Sequence, residues 1–170
     1  MSKGGRPRNH DPIADTISFA IERVDNEKVI SLISESSVDI LDGEGRTPLI
    51  YASFSGNSEI LQWLIEKGAD VNTQDRRGYS ALHAASQNRH VSIIQILLQS
   101  GANPNLVDSF GNGPLWTAII NSRGDDAIPS ILIKSGANQE HMNNAGKSPN
   151  EMKAILERNR KMMGDRKNEE

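Results

Sequence analysis

The 170-residue chain contains no cysteine. Disulfide frameworks and thiol chemistry are therefore closed to it. Aromatic residues are sparse, with three Phe, two Trp and two Tyr, and hydrophobic residues make up only 36% of the total. That composition suits a thin apolar layer between stacked units better than a thick globular core. No run approaches the roughly 18 apolar residues needed to cross a bilayer. No apolar stretch follows the basic N-terminal residues, so no secretory leader is expected. The formal net charge of −3 is too small to argue for nucleic acid as a partner. Chemical motifs are missing too: there is no GxxxxGK(S/T) phosphate loop, no GxSxG elbow and no HExxH pair. Nothing places a nucleophile, a base and an orienting group together. The expectation is a non-enzymatic, cytoplasmic chain with no catalytic residue, no cofactor, no metal and no membrane contact.

What the chain does contain is a repeat. Gly45, Gly78 and Gly111 lie 33 residues apart, and Gly146 follows 35 later. A second series keeps step: Gly68-Ala69-Asp70, Gly101-Ala102-Asn103 and Gly136-Ala137-Asn138. Residues 75–105 show the unit complete. A polar turn leads into a short helix from Ser80, then a break at Arg89-His90, then a more apolar helix from Val91 that Gly101 stops by taking positive φ. Units of this size stack because none can bury its apolar face alone. Thr47-Pro48 and Ser148-Pro149 supply an N-cap followed by proline at the first helical position.

These residues carry a resemblance. Gly45-Arg46-Thr47-Pro48-Leu49, Ser80-Ala81-Leu82-His83-Ala84-Ala85 and Gly113-Pro114-Leu115-Trp116-Thr117-Ala118 resemble the ankyrin repeat. The likeness implies an all-α solenoid of stacked helix–turn–helix units with hairpin-like turns, capped at both ends. Units fall near residues 10–41, 42–74, 75–107, 108–142 and 143–160, forming one domain over 10–160. Residues 1–9 read as a disordered basic tail, with a basic arm for DNA or an acidic partner as the alternative. Residues 161–170 read as a charged tail. In the first unit Ile13, Ile17, Ala20, Ile21 and Val24 fall at helical spacing. In the second, Ile60, Leu61, Trp63, Leu64 and Ile65 are expected in the core. His83 and His90 lie seven apart, but no further ligand completes a metal site. The resemblance implies that His83 ties neighbouring turns together and that His90 caps the next helix. Asp125-Asp126 fits the N-terminus of a helix, where the dipole favours acid.

The family binds partners on a concave face built from hairpin tips and first helices. Carried over by position, the tips give Glu44, Arg46, Arg76, Arg77, Tyr79, Phe110, Asn112 and Lys147, and the helices give Phe54, Ser55, Gln87, Asn88, Ile120 and Asn121. Arg76, Arg77, Tyr79, Phe110 and Phe54 form a cluster of residue types enriched in interface hot spots. Arg123 and Asp125 join the candidate set because two extra residues, most simply Ser122 and Arg123, lengthen the link in the fourth unit. Such an insertion reads either as a binding loop or as drift in a tolerant segment. The fourth unit is also similar to small bacterial ankyrin proteins that act as immunity partners of toxins, through Pro114-Leu115-Trp116-Thr117-Ala118 and Asn121-Ser122-Arg123-Gly124-Asp125. That likeness implies a protein partner, a toxin domain, neutralised by a chain that is monomeric when free. A scaffold or adaptor without inhibitory action and a ligand-responsive regulator are the other readings.

Overall fold

The computed structural model describes residues 11–34 and 36–167, with side chains through residue 162. The expected basic tail at residues 1–9 lies outside the described residues, as does the end of the charged tail at 168–170. The described chain is an all-α solenoid: α1 (Pro12–Glu22), α2 (Asn26–Ser34), α3 (Pro48–Ser55), α4 (Ser58–Glu66), α5 (Ala81–Gln87), α6 (Val91–Gln99), α7 (Pro114–Asn121), α8 (Ala127–Lys134) and α9 (Pro149–Lys167). The odd-numbered helices pack in one row, α1 on α3, α3 on α5, α5 on α7 and α7 on α9, while α2, α4 and α6 form a second row behind them. No described helix is long and apolar enough to cross a membrane.

Each repeat tip is closed by the same bonds, made four times. Each tip opens on an acid or its amide whose Oδ1 accepts two backbone N–H groups. Asp42 takes those of Glu44 and Arg46, Asp75 those of Arg77 and Tyr79, Asp108 those of Phe110 and Asn112, and Asn143 those of Ala145 and Lys147. One carboxylate oxygen thus closes the turn that glycine makes sterically possible. Successive tips are tied through the backbone: Arg76 N–H donates to Glu44 O at 3.0 Å, Ser109 to Arg77 O at 2.7 Å, and Asn144 to Phe110 O at 2.9 Å. Gly78 is sterically required here, since a Cβ at its φ of 75° would lie 2.9 Å from Asp108 Cα.

The helices start and stop as their residues dictate. Thr47 Oγ1 accepts Ile50 N–H, and Ser80 with His83, like Ser148 with Glu151, closes a reciprocal cap. At the far end, Ala69, Ala102 and Ala137 bond back to Leu64, Leu97 and Leu132 after glycines at φ near 89°. The core between the rows is aliphatic: Ile17, Ile21, Ile60, Leu61, Leu64, Ile93, Ile94, Leu97 and Leu132 are fully buried.

Five sequence expectations need correction. Val24 does not belong to the first helical stripe; it lies past the end of α1, 62% exposed at φ 59°. Trp63 is only half-buried, packed against the edge of that core with its ring under the Lys67 ammonium at 5.7 Å. Ile65 is likewise half-buried. His90 occupies the N-cap position of α6 but makes no side-chain cap bond; its Nε2 reaches back 3.1 Å to Phe54 O in the preceding unit. At the C-terminus α9 runs on to Lys167, so residues 161–167 prolong the last helix.

Candidate functional site

The hairpin tips and the exposed side of the inner helices enclose a groove of about 320 Å³. It spans the first four units. Its walls include Glu22 from α1, Ile50, Tyr51 and Phe54 from α3, and Ala84 and Gln87 from α5. The tips contribute Arg46, Asp75, Arg77, Tyr79 and Asp108.

The polar groups in this groove differ in how far they are already satisfied. Asp75 is buried; its Oδ1 is used by two backbone N–H groups and its Oδ2 faces Arg46 Nε at 3.5 Å. Arg46 also lies over the Tyr51 ring, 5.9 Å from its centroid. The Tyr51 hydroxyl donates to Asp42 Oδ2 at 2.7 Å. Burial works against the charge of Asp42, but the bonds from Arg46, Tyr51 and Glu44 outweigh it and hold this carboxyl below its ordinary value. Arg77 is different. Its side chain is exposed and makes no hydrogen bond or ion pair among the described residues, so it is the guanidinium in the groove open to a partner.

Tyr79 lines the groove beside it, backed by the buried His83. The rings lie 4.9 Å apart, tilted by 33°. The Tyr79 hydroxyl donates to the Gln87 side chain. Burial, with the negative charges of Asp108 and Asp75 behind it, pushes the phenol up to about 12. His83 is fully buried. The Ser80 N–H donates to its Nδ1 at 3.2 Å, which leaves the proton on Nε2 to be donated to Asn112 O at 3.0 Å in the next unit. Burial pushes this imidazole below its usual value, against the pull of the Asn112 carbonyl and of Asp108 and Asp75.

The residues expected to form the binding face therefore separate. The groove brings together Arg46, Arg77, Tyr79, Phe54 and Gln87. Phe54 keeps 46% of its surface exposed there. Tyr79 is half-buried, with its ring on His83. Arg76 turns back to the carbonyl of Gly43 and lies outside the groove lining. Phe110, 56% exposed, and Ile120, 49% exposed, lie beyond the groove on the fourth unit. Glu44 and Lys147 stand exposed on their tips. Ser55 is half-buried and bonds back to Tyr51 O. Asn88 and Asn121 bond back to Ala84 O and Thr117 O within their own helices, and Asn112 accepts from Asn143. Asp125 and Arg123 lie on the link at the opposite end of the helices.

Sequence reasoning missed Glu22, Ile50, Tyr51, Asp75, Ala84 and Asp108 as groove residues. Tyr51 had a readable signal: it is the large residue at the position held by Ala84 and Thr117 in the next two units, four after the N-cap. Glu22 had none, because the first unit lacks the tip motif that would have set its phase.

Comparison with known proteins agrees with this architecture. Residues 17–108, more than half of the chain, match the family described as ankyrin repeats in three copies. A zebrafish (Danio rerio) protein named ankyrin repeat and SAM domain-containing protein 6 is 36% identical over 73 residues. That stretch covers 41% of this chain and 10% of the relative, so the chain spans about a tenth of this relative's length.

Proposed function

The chain belongs to the ankyrin-repeat family, and we propose that it holds another protein in the groove between its hairpin tips and inner helices. The observation that carries this reading is the pairing of an uncommitted Arg77 with the half-exposed ring of Phe54 in one preformed recess. Arginine and aromatic side chains are the groups most often found as interface anchors. Tyr79 and Gln87 support them, already fixed to each other, so little side-chain freedom is lost on binding.

The rigid recess suits an inhibitor that covers a partner's working surface, and the bacterial toxin-immunity likeness of the fourth unit supports that more specific role. A cognate toxin domain is the partner we infer, and an adaptor without inhibitory action is the alternative. The test has two stages. A partner recovered with the chain from its source cells is identified by mass spectrometry, then titrated against Phe54→Ala and Arg77→Glu. Phe54→Ala should weaken binding by roughly 2 kcal/mol or more. Arg77→Glu should change the association rate and its salt dependence. Full affinity in both variants would remove the groove from the interface. If the partner is a toxin, co-expression of this chain should restore growth; failure to do so leaves the adaptor.

A further inference from the structure

The inter-helix links, at the far end of the inner helices from the tips, carry a second constellation. In the second unit the link turns on Gly56 at φ 78°. In the third and fourth units the same left-handed backbone is held by Arg89 at φ 60° and Arg123 at φ 52°. Arginine is disfavoured in that region, where glycine is free, so two consecutive units place a guanidinium on this edge against backbone preference.

The longer link of the fourth unit is braced from both sides. Arg89 Nη2 meets Asp125 Oδ2 at 2.7 Å across the unit boundary. Lys153 Nζ, on α9, meets Asp126 Oδ2 at 2.8 Å. Arg160, two turns further along α9, donates to Ser122 Oγ at 3.4 Å and lies against Gly124, where a Cβ would come within 3.0 Å of its Nη1. Each aspartate is thus paired through its Oδ2, Asp125 with Arg89 and Asp126 with Lys153. Arg123 and Arg160 have no carboxylate partner among the described side chains. On α9, Glu157 is flanked by Lys153 four residues before and Lys161 four after. The edge carries a positive excess on a chain whose net charge is −3.

We propose that this braced edge, formed by the link 122–126, Arg89 and α9, is a second docking surface that receives an acidic segment of a protein partner. Charge complementarity selects the occupant: the groups without a carboxylate partner are guanidinium ions, which bind carboxylates in paired geometry. The brace holds Arg123 outward before the partner arrives. The surface is separate from the groove and does not depend on the groove's role.

The probe is a synthetic glutamate-rich peptide, titrated into isotopically labelled full-length chain, with a single-stranded oligonucleotide of matched charge as competitor. Amide shifts should cluster at Arg89, residues 122–126, Lys153 and Arg160. Affinity should fall as salt rises. Arg123→Glu should weaken the peptide about tenfold and Arg123→Gln less, with the fold untouched because the exposed side chain makes no hydrogen bond or ion pair among the described residues. Shifts centred on Arg77, unchanged affinity in Arg123→Glu, or displacement of the peptide by the oligonucleotide would each overturn the proposal.

Discussion

Two side chains inside the third unit make its protonation legible. His83 is held neutral by burial and by the Ser80 N–H on its Nδ1. The unfolded chain takes up this proton near the ordinary value of 6.5, the folded chain only below it. Stability is therefore intact above that pH and is lost as the pH falls through it. Urea midpoints measured across this range should decline toward acid, and His83→Gln should flatten the decline. Tyr79 works in the opposite direction. With its phenol pushed from 10.0 to about 12, stability is held below the lower value and lost as the pH climbs between the two. Phenolate absorbance should show a late-ionising group that Tyr79→Phe removes; an ordinary titration would mean the ring is more open than described. The sequence identified His83 as an inter-unit tie from its place in the repeat. It did not identify Tyr79 as half-buried, because one residue before an N-cap has no burial pattern of its own; the contact comes from the ring of His83 four residues later.

At the level of the element, the repeated caps were fully readable, since each depends on residues within one turn. Asp42, Asp75, Asp108 and Asn143 close their tips through bonds that span only two and four residues. The links between paired helices were less readable. The extra length near Ser122 and Arg123 could be counted, but the Lys153 and Arg160 brackets come from a helix about thirty residues downstream. Val24 shows how such a link can be improved. A β-branched residue at φ 59° is strained, and its side chain is mostly in water, so little packing would be lost by removing it. Val24→Gly should stabilise the chain by about 1 kcal/mol, read as a higher urea midpoint. A lower midpoint would show that Val24 contributes contacts outweighing its strain.

Across the whole molecule, stability resides in boundaries between neighbours, because the helices of adjoining units pack on one another along both rows. Leu97 is fully buried in α6, which packs on α5 of its own unit and on α4 of the unit before. Leu97→Ala should cost about 2–5 kcal/mol. Amide exchange should quicken in the second and fourth units together with the third; an effect confined to the third would show that the units are energetically independent. The free chain should remain monomeric, with a sedimentation coefficient independent of concentration. The order of the helices followed from the period, and the position of the concave face from the resemblance to the ankyrin repeat. The composition of the groove did not, because Glu22, Tyr51 and Asp108 come from three units, and only their spatial superposition makes them neighbours.

The tip-to-tip bonds have a genetic corollary. Arg76 to Glu44 and Ser109 to Arg77 are the same backbone bond shifted by one unit, and the tip aspartates and post-helix alanines recur in step. Residues 75–107 are thus an interchangeable cassette whose leading and trailing surfaces match. An in-frame duplication of that cassette would join itself to its own copy without inventing a joint, so recombination can lengthen or shorten this protein in whole modules.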